Sequence, residues 1–263
     1  MTLKILPPTG GASVKTTFLD TTGAGTFTWD TDAVGAWVTL GAGGASGAGK
    51  TSGSRDQGSP GGGAGETRRF YLLRNGGTTV SYNIGAGGVG TSGTVAGQNG
   101  GNTTFGGAVV FGGTAPTNYN VAGGSGGVPL GDTAPTGGAH ANPGGRGSNS
   151  TATAARDGGT GYGAAGGGGG NVAAAAGGEG GRSASGMTGG AGGTSDGSRA
   201  GGGGGGGGWD GIGGAGANAP STNGTDGVGY CSGGGGCSGA PGSTPLKGGD
   251  GVKGFILVQE DLE

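Results

Sequence analysis

Residues 44–51, GASGAGKT, fit the pattern of a phosphate-binding loop, in which backbone N–H groups cradle a polyphosphate and the lysine reaches its outer oxygens. That chemistry needs a helix to begin at the lysine, so that its first N–H groups face the phosphates. The residues that follow, 52–61 (SGSRDQGSPG), hold too much glycine, serine and proline to form one. In a chain with 84 glycines among 263 residues, such a string arises from composition alone, and no nucleotide site is expected.

The other reactive side chains are few. His140 is the single histidine and sits in a Gly/Ala/Pro stretch, so it is either an exposed loop residue or a contact to a partner. One histidine and two cysteines do not make a zinc site. Cys231 and Cys237 enclose Ser232 and four glycines. That loop closes a disulfide if the Cα atoms come within ~7 Å, and otherwise leaves two free thiols. Asp-Gly pairs at 157–158, 196–197, 210–211, 226–227 and 250–251 read as turns, because no 12-residue acidic calcium loop accompanies them. The expectation is a protein without catalytic residues, metal or cofactor.

Charge narrows the partners. The chain has 13 Lys+Arg against 15 Asp+Glu, a formal net charge of −2, which gives no electrostatic footprint for nucleic acid. No apolar run reaches the ~20 residues of a membrane span. Collagen, the familiar protein with one glycine in three, is excluded by the unbroken glycine run 201–208 and by only 10 prolines.

The apolar residues are segregated. Of 34 Leu, Ile, Val and Phe, 27 lie in 1–119 and 250–263, so the two ends supply a β-type core and the middle does not. Segments 26–29 (TFTW), 36–40 (AWVTL), 70–73 (FYLL), 79–84 (TVSYNI), 108–111 (AVVF) and 255–258 (FILV) are short, β-branched or aromatic, and flanked by glycine. They predict strands, with the last returning to pair with the first ones. Asn75-Gly76 between two such segments predicts a β-hairpin. The only alanine runs, 152–155 and 173–176, are one turn long, so helix is nearly absent. The fold class predicted is all-β: a jelly-roll-like sandwich from 1–111 and 250–263, with 1–23 as a candidate attachment segment, and an inserted glycine-rich part from 112–249.

An insertion with so few side chains coheres only through its backbone. Left-handed threefold helices of ~3.1 Å rise, the polyglycine II form, can stack and bond laterally through N–H···O, and 41–65 would add one or two of them. A flexible linker is the alternative, yet a linker has no need of the Asp-Gly and Asn-Gly punctuation. Between the glycine runs, segments 114–121, 128–142, 148–156, 183–188, 209–212 and 218–223 carry most of the side chains. Tyr119, Tyr162, Trp209 and Tyr230 fall where little apolar material could bury them, so they either cap the glycine lattice or anchor a partner. With Asn120, His140 and Ile212 they are the candidate contact residues.

Segments 37–44 (WVTLGAGG), 83–90 (NIGAGGVG), 100–106 (GGNTTFG) and 251–258 (GVKGFILV) together resemble the glycine-rich domain of phage tail fibres and tail-tip adhesins, over about residues 24–258. The extracellular glycine-rich domain of anaplastic lymphoma kinase is similar in plan. The resemblance implies a jelly-roll-like sandwich carrying a polyglycine-helix lattice, located in the distal tail of a virion. Its implied partners are a host surface receptor, either an outer-membrane protein or a glycan, and neighbouring tail proteins, with a homotrimer as one arrangement. A structural virion part without receptor contact is the second reading. An ice-binding bundle is a third, disfavoured by the irregular glycine spacing.

Overall fold

The computed structural model describes residues 13–50, 57–93, 96–117, 166–167, 175–183, 185–220, 222–239 and 245–263. Eight strands follow in order: β1 (Val14–Leu19), β2 (Gly23–Thr28), β3 (Ala33–Gly41), β4 (Thr67–Leu73), β5 (Thr79–Ile84), β6 (Thr103–Phe105), β7 (Ala108–Val110) and β8 (Phe255–Leu262). They build two antiparallel four-stranded sheets, β1-β8-β3-β4 and β2-β5-β6-β7, and the described residues contain no α-helix. The fold is an all-β sandwich, as the segregation of apolar residues predicts.

Alternation fixes which side chains enter the core. Ala36, Val38 and Leu40 of β3 and Ile256 and Val258 of β8 point inward to meet Phe27, Ile84, Phe105 and Val110 from the second sheet. Trp29 packs edge-on against Phe27. All nine of these inward side chains bury fully or nearly so, each contributing roughly 1.5–3 kcal/mol where it is a large apolar group. Two strands escaped the sequence reading. β1 (VKTTFL) is a mostly exposed edge strand rich in threonine, and β6 has only three residues between glycine-rich turns.

The Asn75-Gly76 hairpin is not formed. Both residues do turn, with φ of 46° and 75°. However, β4 pairs with β3 and β5 pairs with β2, so the turn carries the chain from one sheet to the other. Arg74 explains the change of direction. Its backbone N–H donates to Val34 O, and its guanidinium donates to the carbonyls of Asp30 (2.9 Å), Thr31 (2.5 Å) and Ala33 (3.3 Å). The turn is thereby held to the β2–β3 connection, where no partner strand is open to β5.

Beyond the sandwich, glycine segments bond to one another with a period of three residues. From 201 to 207, Gly201, Gly204 and Gly207 donate to Ala175, Gly178 and Gly181; Gly202 and Gly205 donate to Ala217 and Gly214; and Gly203 and Gly206 donate to Ser59 and Gly62. The same rule holds for 42–48: Ala42, Ala45 and Ala48 donate to Glu66, Gly63 and Pro60, Gly43 and Ser46 to Gly101 and Gln98, and Gly44 and Gly47 to Val252 and Gly249. Three residues per turn is the period of the left-handed threefold helix, whose backbone has no internal bonds and so turns every donor outward. Each segment therefore reaches three neighbours. Residues 85–101 and 250–254, assigned by sequence to the sandwich, join this array as well: Gly88 donates to Gly44, Gly251 to Gly88 and Gly254 to Gly85.

Glycine is required here by space. A Cβ added at Gly204 would overlap the carbonyl oxygen of Gly190, and one at Gly235 that of Ala215. Both obstacles are backbone, which cannot rotate aside. Gly204→Ala is therefore expected to cost about 3 kcal/mol or more, seen as a lowered Tm, whereas Gly77→Ala, whose Cβ would meet Arg74 O at 3.5 Å and Thr79 O at 3.9 Å, both ordinary contacts, stays within about 1 kcal/mol of wild type.

Candidate functional site

The array has two chemically different ends. Residues 201–208 run between them, and at ~3.1 Å per residue they separate the ends by roughly 20 Å.

One end meets the sandwich through aromatic rings. Phe255, the first residue of β8, is fully buried beneath Trp209 (ring centroids 5.7 Å), Tyr230 (5.4 Å) and Phe18 of β1 (5.7 Å). The turn that presents them is tightly tied. Trp209 N donates to Tyr230 O, Gly208 N to Gly211 O and Val228 N to Ile212 O, while the Asp210 carboxylate accepts from Tyr230 N at 2.6 Å. The Tyr230 hydroxyl and the Lys253 ammonium both donate to Asp20 Oδ2 at 3.0 Å. Lys253 and then Tyr230 hold the Asp20 carboxyl below its ordinary range, and burial followed by Asp20 raises the Tyr230 phenol. Trp209 and Tyr230 thus form the cluster that seals array to sandwich, while Trp209 and Ile212 keep 36% and 49% of their surface exposed.

The other end is polar. Asp196 Oδ1 accepts from Ser198 N (2.8 Å) and Arg199 N (2.6 Å), which lowers its pKa, and Gly197 completes the turn at φ 83°. Asn218 Oδ1 accepts from Thr194 N and Thr194 Oγ1 at 2.8 and 3.0 Å, and Asn223 Oδ1 accepts from Lys247 N at 2.9 Å. These side chains satisfy backbone donors that the last turn of each segment leaves open. Asp226 and Asp250 do the same for Asp250 N and Gly90 N. Among the described residues no group of three His, Cys, Asp or Glu could hold a metal ion, and no helix is long and apolar enough to cross a membrane.

The phosphate-loop string is part of the array. Its residues 44–48 donate to neighbouring segments, Lys50 bridges to Leu246, and the lysine side chain is 98% buried with Nζ donating to Gln57 O at 3.4 Å. The disulfide that the cysteine spacing allows is not formed. Residues 233–236 run extended, donating to Gly206, Ala45, Thr225 and Gly203. Six residues at ~3.1 Å hold the cysteines roughly 19 Å apart, well beyond the ~7 Å limit for a bridge. Cys231 packs against Gly41, and Cys237 donates to Ser59 Oγ at 3.3 Å. Both are buried free thiols. Burial pushes Cys231 well above its usual pKa and Cys237 up to about 11.

Tyr119, Asn120, His140 and Tyr162 lie outside the described residues. A surface that sequence reasoning missed is the outer face of the β1-β8-β3-β4 sheet. Strand register lays it out in rows: Val14, Asp261, Gly35 and Leu73; then Thr16, Gln259, Trp37 and Tyr71; then Phe18, Leu257, Thr39 and Arg69. Trp37 and Tyr71 meet edge to face at 5.3 Å, and Arg69 lies 5.0 Å over the Trp37 ring while donating to Gln259 at 3.0 Å. Burial and a hydrogen bond to Asp261 push the Tyr71 phenol up to about 12. The available signal was apolar residues on both faces of β3 and β4, which a strand covered on one side does not need.

No family model matches the chain, and no curated protein matches it. The thiol geometry is directly checkable. In native protein at pH 8 neither cysteine should react with a chromogenic disulfide reagent over an hour, and in denaturant two thiols per chain should react; a count of zero in denaturant would mean a bridge.

Proposed function

We infer that the chain is a component of a bacteriophage tail fibre or tail tip that recognises a host surface receptor, an outer-membrane protein or a glycan, by non-covalent contacts. The observation that carries this reading is the glycine array itself: backbone segments bonded to neighbours on three sides, ending in the polar turn 194–199 and at Asn218, Thr222 and Asn223. Such an array holds its end turns in fixed relative positions. Turns ordered beforehand lose less entropy when they meet a partner, so a scaffold of this kind favours recognition by its tips. Sequence resemblance to glycine-rich tail adhesins supports the same reading. The polar turns also suit a target rich in hydroxyl and amide groups, since each offers donors and acceptors on short side chains.

A purely structural place in the tail is the second reading. The exposed apolar outer face of the first sheet favours it, because a surface of that kind is ordinarily covered by a neighbour. The two readings differ in what the far end touches.

Replacing turns 195–199 and 218–223 with Gly-Ser turns of equal length, in phage that still assembles, is expected to slow adsorption to host cells at least about tenfold. Unaltered adsorption and host range for both exchanges, and for an exchange of residues 114–142, would overturn the receptor reading and leave the structural one.

A further inference from the structure

Among the described residues the outer face of the β1-β8-β3-β4 sheet has no partner, and it is unusually apolar for a solvated sheet. Val14, Phe18, Trp37, Tyr71 and Leu73 each expose more than a third of their surface there. The face continues onto the glycine array, because Phe18 touches Tyr230, and Trp209 on the next turn leads to exposed Ile212 and Val228. Together these side chains present on the order of 800 Å², close to the ~800 Å² that each partner contributes to a standard-sized protein interface. Isolated exposed apolar residues need no explanation, but this much exposed apolar surface gathered on one sheet face and the turn beside it does.

We propose that this face is where a second copy of the same chain docks, sheet against sheet, about a twofold axis passing through Trp37.

The charges on the face select this occupant. Strand register puts Arg69 on β4 one row to one side of Trp37, and Asp261 on β8 one row to the other, so Trp37 stands midway between them. A twofold axis in the plane of the interface that crosses Trp37 perpendicular to the line from Arg69 to Asp261 exchanges these two positions. Trp37 then meets Trp37 of the second copy, and Arg69 of each copy faces Asp261 of the other. An isologous interface requires this kind of self-complementarity, with each contact made twice. A nucleic acid or an anionic membrane surface would need a net positive patch instead, which one arginine opposite one aspartate does not give. Within one chain Arg69 and Asp261 are two strands and four residues out of register, too far apart to pair, so any coupling between them must be intermolecular. The core side chains Ala36, Val38 and Leu40 point the other way. Substitutions on this face therefore leave the sandwich interior untouched.

The inference stands apart from the receptor reading, which concerns the far end of the array. It is tested by sedimentation equilibrium of the full chain at up to about 100 μM, with thermal denaturation of each variant to verify folding. Wild type is expected to be dimeric, and Trp37→Lys and Leu73→Lys, made separately, are each expected to yield monomer with the Tm retained. Arg69→Asp and Asp261→Arg should each weaken the dimer roughly three- to tenfold, and the double variant should restore it. A monomeric wild type, an odd-numbered oligomer, a dimer that survives both lysine substitutions, or a double variant no better than the singles would overturn the proposal. A monomer whose Trp37→Lys variant also loses host adsorption would overturn it in favour of receptor contact by this face.

Discussion

A backbone N–H donated to a carbonyl of a neighbouring segment, across a gap too narrow for a Cβ, is the contact on which the larger part of this protein depends. Each such bond nets only about 1 kcal/mol, and ordering a residue costs about 1–2, more for glycine than for any other. Such an array holds only where nearly every donor finds an acceptor, which three neighbours per segment provide. Side chains buried inside it are accordingly small or bonded. Ser46 accepts from Gln98 N, Ser59 donates to Gly49 O, and Ser238 accepts from Thr222 N. Lys50 and Leu246 are larger: the Lys50 ammonium reaches a carbonyl oxygen, and Leu246 packs with Cys237.

The same constraint divides the molecule chemically. Where the array abuts the sandwich, large rings can be used because β8 offers Phe255 as a floor and β1 offers Phe18 as a wall. At the far end no sheet stands behind the turns among the described residues, and Asp196, Asn218 and Asn223 there are short, polar and occupied with capping backbone groups. Of the aromatic residues that the sequence left either as caps of the lattice or as anchors for a partner, two lie among the described residues. Trp209 and Tyr230 belong to the joint, which fixes the array's orientation.

Much of the sandwich was legible because alternation, aromatic and β-branched content announce β2, β3, β4, β5, β7 and β8 directly. β1 was hidden because a mostly exposed edge strand with a lysine and two consecutive threonines looks like loop. The Asn75-Gly76 turn misled because two-residue turns of this type usually join paired strands, and nothing local reports that Arg74 anchors the turn to residues 30–33. Which segments the array's three-residue period makes neighbours was invisible for a different reason. Glycine carries no side-chain pattern, so which run neighbours which is decided by the ends to which each is tied. The separation of the cysteines follows from that period and from no feature of the seven residues themselves.

The position of β8 has a consequence for how the chain reaches this state. It lies between β1 and β3, so Val38 of β3 must wait for Val258, 220 residues later, before its sheet is complete. Until then β1 has no partner, and β3 is held on one side by β4 alone. The glycine segments between them are in the same position, since 42–48 bond to residues as distant as 249 and 252. Contacts of such long range reward the chain only late, so assembly is slow and cooperative, and the strand that follows the array is also the one that locks it. During synthesis the apolar faces of β3 and β4 stand open for the whole time the glycine runs are being made, which is the interval in which this protein is most exposed to aggregation.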